Sequence, residues 1–109
     1  MALLTVQQIV IGGLAPTYVA VAASDTIPVA DDRVMLHVKN ASGTQDTVTL
    51  TDPGKTPAGS SASNPTVVVP ITTGDRMIAL PLALADPATG LVTVTHSQTT
   101  TVTCAAVRR

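Results

Sequence analysis

Val34-Met35-Leu36-His37-Val38-Lys39 alternates between two faces, with Val34, Leu36 and Val38 on one and Met35, His37 and Lys39 on the other. A turn cluster, Asn40-Ala41-Ser42-Gly43-Thr44, follows it, and Thr47-Val48-Thr49-Leu50-Thr51 then resumes the alternation. Period two is the signature of a half-buried strand, and two such runs around a short Gly-containing loop read as a β-hairpin. The pattern recurs downstream. Residues 66–71 and 76–82 flank Thr72-Thr73-Gly74-Asp75, and residues 91–96 and 101–107 flank Ser97-Gln98-Thr99-Thr100. Upstream, residues 7–11 and 18–22 are two further strand candidates, punctuated by Gly12-Gly13 and Ala15-Pro16. No segment keeps a 3.6-residue period, and Pro87 and Gly90 limit residues 82–86 to one helical turn.

The expectation is an all-β chain: a small β-sandwich or jelly-roll-like barrel of about eight short strands. Residues 14–109 form its single domain, and residues 1–13 are an extended N-terminal arm or a first strand. Parity along the strands puts Val34, Leu36, Val38, Val48, Leu50, Val67, Val69, Ile71, Ile78, Leu80, Val92, Val94, Val102 and Cys104 inside.

Composition agrees. Val and Thr supply about three of every ten residues in the 109, and both suit a pleated surface. Charged residues are 12%, net charge is −1, and Tyr18 is the sole aromatic ring. Such a surface offers neither a basic field for phosphate nor rings for bases to stack on, so nucleic acid is disfavoured as a partner. No long apolar run follows Met1-Ala2-Leu3-Leu4, so no membrane partner is expected either.

The chemistry-bearing residues are sparse. His37, His96 and Cys104 lack ligand spacing, and no metal or cofactor is expected. Cys104, the single cysteine, reads as a small core residue. There is no G-x-S-x-G elbow, and Ser60, Ser61 and Ser63 have no nearby histidine. All seven acids are aspartates (Asp25, Asp31, Asp32, Asp46, Asp52, Asp75 and Asp86) and read as turn residues rather than an acid–base pair. No catalytic residue is assigned, and the chain is expected not to be an enzyme.

Two segments stand out for contact rather than chemistry. Residues 52–65, rich in Gly, Ser, Ala and Pro, read as a long, exposed, mobile loop. In residues 1–13, Leu3, Leu4, Val6, Ile9, Val10 and Ile11 are too apolar to stand in water, and the expectation is that they bind a neighbouring chain. A chain starting near Leu14 is then expected to fold and to assemble less well.

From Asp25 onward the sequence resembles a known group. The features are Asp25-Thr26-Ile27-Pro28, Val34 through Asn40 as quoted, Thr47-Val48-Thr49-Leu50, Val67-Val68-Val69-Pro70, Gly74-Asp75-Arg76-Met77-Ile78, Asp86-Pro87-Ala88-Thr89-Gly90-Leu91-Val92-Thr93-Val94, and residues 102–108. They resemble small virion proteins encoded among the head genes of tailed bacteriophages, often of the decoration or cement type. The resemblance implies a structural protein made in the host bacterial cytoplasm and carried on the outer capsid surface, with the major capsid protein as its partner. Weak individual contacts favour a homo-oligomer, with a trimer preferred. A head–tail connector or tail component, and a small adhesion or glycan-binding sandwich, are the alternatives.

Overall fold

The computed structural model describes residues 2–60 and 63–109, so Met1 of the expected arm and Ser61 and Ala62 of the expected loop lie outside the described residues. Among the described residues there are ten strands: β1 (Ala2–Leu3), β2 (Val6–Gln8), β3 (Val19–Ala20), β4 (Ser24–Pro28), β5 (Val34–Asn40), β6 (Asp46–Leu50), β7 (Thr66–Val69), β8 (Gly74–Leu80), β9 (Leu91–His96) and β10 (Val102–Arg108). The helical candidate is a single 3-10 turn, Leu82–Leu84. The strands form two sheets, one ordered β1-β4-β9-β6-β7 and the other β2-β10-β5-β8, with β3 also on β10. The chain is a β-sandwich rather than a closed barrel.

The strands expected to pair as hairpins do not pair. β5 pairs with β8 and β10, while β6 pairs with β7 and β9. β5 and β6 therefore lie in opposite sheets, and so do β7 and β8, and β9 and β10. The turn clusters at 40–46, 70–74 and 96–102 are corners that carry the chain across the sandwich. Among the described residues, the one pair of consecutive full-length strands that forms a hairpin is β6–β7, joined by the long loop. Residues 53–60 and 63–65 of that loop are exposed. Its ends are closed by Leu50 N–H donating to Pro65 O (2.9 Å) and Asp52 N–H donating to Asn64 Oδ1 (2.9 Å).

The inward set is nearly as parity assigns it. Val34, Leu36, Val38, Val48, Leu50, Val69, Ile78, Leu80, Val92, Val94, Val102 and Cys104 are all buried in one core. Val67, on an edge strand, is half-buried against that core. Ile71 is a correction: it is exposed (49%), because β7 ends at Val69 and Pro70 has no N–H with which to extend the ladder. Ile27 and Val29 join the core from β4 and its end, a strand that the turn-like Ser24-Asp25 pair conceals in the sequence.

The corners carry strain. Thr72 (φ 68°) and Thr101 (φ 54°) adopt left-handed backbone, which is costly for a β-branched residue. Asn tolerates this conformation better. Thr72→Asn is expected to stabilise the fold by about 1 kcal/mol, read as a rise in the urea midpoint; a fall would remove strain as the explanation.

Candidate functional site: an exposed apolar crest and a buried Asp–His–Asp cluster

The six apolar residues expected to bind a partner divide into two groups. β1 runs parallel to β4, and β2 runs parallel to β10, so the N-terminal segment crosses from one sheet to the other. The crossing is fixed by Leu4 N–H donating to Thr26 O (2.8 Å) and Ile9 N–H donating to Arg108 O (2.7 Å). Leu4, at the crossing, is buried in the core, and Val6 is half-buried against it. Leu4 is thereby corrected as a partner-contact residue, and of the two readings of residues 1–13, an arm or a first strand, the structure has strands that close the chain's own sandwich. An apolar strand covered on both faces needs no neighbour when its own chain provides the cover.

Leu3, Ile9, Val10 and Ile11 stay exposed, at 66%, 40%, 52% and 109%. Gly13 N–H donates to Val10 O (2.9 Å), closing a turn with Ile11 at its tip, and Gly13 takes φ 95° to complete it. Three consecutive exposed apolar residues at a tight turn form a crest fixed by the β2–β10 pairing.

β3 and β2 share one edge of β10: β3 reaches Thr103 and Cys104, and β2 reaches 106–108. Gln7 spans the interval, its Nε2 donating to Thr17 O (3.0 Å) and its Oε1 accepting from Thr17 N–H (2.8 Å). An open cleft of about 480 Å³ lies there, over Ala105 and Ala106 and between Leu3, Gln7, Val19 and Ala20. On the outer face of the second sheet, Tyr18 Oη lies 2.7 Å from His37 Nδ1, and Lys39 Nζ sits 4.0 Å from the centre of the Tyr18 ring.

A second constellation lies in the core. His96 Nδ1 is 2.7 Å from Asp46 Oδ2, and His96 Nε2 faces Asp25 Oδ2 at 3.9 Å. All three side chains are sealed, none more than 1% exposed. Asp46 Oδ1 also accepts from Ser97 N–H (3.0 Å) and Gln98 N–H (3.2 Å), and Asp25 Oδ2 accepts from Ala22 N–H (3.2 Å). The cluster ties β4, β9 and β6 to the β9–β10 corner. Cys104 faces it from β10, and burial, then Asp25, then Asp46 push the thiol up to about 12. The thiol is therefore neutral at physiological pH, and a neutral buried thiol is a poor nucleophile.

Asp25 and Asp46 thus correct the reading of every aspartate as a turn residue. The missed signal was parity. Asp46 is in step with Val48 and Leu50, His96 with Val92 and Val94, and Asp25 with Ile27. Among the described residues, no group of three His, Cys or Asp side chains is placed to hold a metal ion. No described helix is long and apolar enough to cross a membrane. No protein family, curated protein or solved structure matches the chain.

Proposed function

We propose that the chain is a non-enzymatic virion structural protein that binds the outside of a phage capsid and stabilises it, most favourably as a trimer on the major capsid protein. The resemblance from Asp25 onward supports the virion setting. The exposed crest Ile9-Val10-Ile11 is the observation that supports contact with another protein. Burying one such side chain contributes about 1.5–3 kcal/mol, and a trimer presents three crests at once. The crest carries no charge, so attachment should persist at high salt.

The glycan-binding alternative is weaker. Sugars stack on open aromatic faces, and Tyr18 has Lys39 over its ring and His37 on its hydroxyl. The connector alternative differs in copy number.

Two measurements test the proposal. In a particle reconstruction, density at many equivalent positions on the shell supports decoration. Density at one vertex favours the connector, and absence from the particle ends the virion reading. In co-sedimentation with empty shells, Ile11→Ser should weaken binding about tenfold or more while the melting temperature stays unchanged. Undiminished binding by that variant would remove the crest from the interface.

A further inference from the structure

Among the described residues β8 is the longest strand on a sheet edge, and no described strand pairs with it on the side away from β5. The direction of its backbone groups follows from the ladder. Ala41 N–H donates to Thr101 O (3.1 Å) and Arg109 N–H to Arg33 O (3.3 Å), so odd-numbered β5 residues bond toward β10. Even-numbered ones bond toward β8, where they meet Gly74, Arg76, Ile78 and Leu80. The N–H and C=O groups of Asp75, Met77 and Ala79 therefore point to the open side. One of them is already capped, since Arg76 Nη1 donates to Asp75 O (2.7 Å). Arg76 breaks the pattern of its own strand. It is in step with the buried Gly74, Ile78 and Leu80, yet it is exposed, and among the described residues no carboxylate pairs with it.

We propose that the open edge of β8 is a self-association surface fitted to a second copy of this chain, and that Arg76 holds it closed. A bare edge invites another strand, and an inward-pointing charge is one means of refusing it. The edges of the other sheet are blunted by shortness: β7 is four residues between Pro65 and Pro70, and β1 is two. β8 has neither protection.

A second copy is the occupant because the edge matches itself. About a two-fold axis through Met77, Asp75 faces the second copy's Ala79, Met77 faces its twin, and Ala79 faces the second copy's Asp75. All three open residues then pair, and each pair exchanges two N–H···O bonds. Moving the axis to Arg76 would set like charges opposite each other. Moving it to Ile78 would bring Pro81, which has no N–H, opposite Asp75. In the Met77 register Arg76 stands opposite the second copy's Ile78 on the inward face. Pairing would press the guanidinium against apolar side chains and take Asp75 O away from it, and a buried, unpaired charge is costly. The pairing is isologous, so it closes at two copies. It uses the edge of the sheet opposite β2, so it is separate from the crest and from the proposed shell contact.

Cross-linking in the full chain tests both the surface and its guard. Facing residues in a bonded antiparallel pair have Cα atoms about 5.5 Å apart, within reach of a disulfide. With oxidised glutathione as the oxidant, Met77→Cys in an Arg76→Thr background should form a disulfide-linked dimer about tenfold faster or more than Met77→Cys alone. Ala79→Cys in the same background should not gain, because its twin lies about 13 Å away along the paired strands. Cys104 is buried and stays out of the reaction. Amide hydrogen exchange reads the wild-type edge without reliance on a variant. Met77 and Ala79 should exchange freely while Ile78 and Leu80 are protected, and Arg76→Thr at high concentration should protect all four. A protected Met77 amide in dilute wild type would overturn the proposal. So would equal cross-linking rates with and without Arg76, or equal rates at positions 77 and 79.

Discussion

A chain that begins at Leu14 is expected to lose the cooperative fold. The sequence favours the opposite result, because an apolar, glycine-terminated N-terminus reads as a detachable arm. The structure places Leu4 in the core and Val6 against it, and lays β1 and β2 along the two sheets. Leu4→Ala alone should cost about 2–5 kcal/mol. Truncation also strips two parallel ladders and the double hydrogen bond from Gln7 to Thr17. Each hydrogen bond contributes about 0.5–1.5 kcal/mol, against a total stability of about 5–15 kcal/mol for a domain. Far-UV circular dichroism and a urea titration check this. A truncated chain that unfolds cooperatively at the full-length midpoint would show the N-terminal strands to be dispensable. Ile11→Ser in the full chain separates the folding role of this segment from the proposed contact, since it alters the crest and leaves the core intact.

Gly74→Ala is expected to cost about 3 kcal/mol or more, the upper range for overpacking. A Cβ at this position would stand 2.0 Å from Pro70 O, 2.7 Å from Pro70 C and 2.8 Å from Pro70 N. All three are backbone atoms, so no side-chain rotation relieves the clash. The chain folds back on itself at this corner, and Gly74 opens β8 opposite Asn40. Asn40 in turn donates through Nδ2 to Thr44 O (2.8 Å) and receives Ser42 N–H on Oδ1 (2.9 Å). Displacing the corner therefore strains a neighbouring one. The measurement is the urea midpoint of Gly74→Ala beside that of Gly43→Ala, whose added Cβ meets nothing within 4 Å. Equal midpoints would mean that the close approach at Pro70 is readily relieved.

The contrast between these two positions bears on what a sequence can disclose. Thr72-Thr73-Gly74 reads as a turn, and it is one. The reason for glycine is nonetheless tertiary: its φ is unexceptional, and the need is for room against Pro70. Ile71 fails in the same place, since parity carries it inward while the strand has already ended. The candidate contact residues divide for a similar reason. Apolarity marked Leu3, Leu4, Val6, Ile9, Val10 and Ile11 alike, and only the crossing between sheets separates the buried Leu4 from the exposed Ile11.

The sequence by itself determined that the chain is all-β and which apolar side chains of its clearly alternating strands face inward. Strand periodicity is a local property: successive residues point to opposite faces whatever lies beside them. That is why Val34, Leu36, Val38, Val48, Leu50, Val92 and Val94 occupy the core as read. Partner choice was decided only by the tertiary structure. A short turn can return a strand beside its predecessor, about 5 Å away, or carry it to the facing sheet, about 10 Å away. Alternation is satisfied by both, and all three short turns took the second course. The same step produced the buried cluster. Parity pointed Asp25, Asp46 and His96 inward separately, and the order β4-β9-β6 brought the two carboxylates to either side of one imidazole.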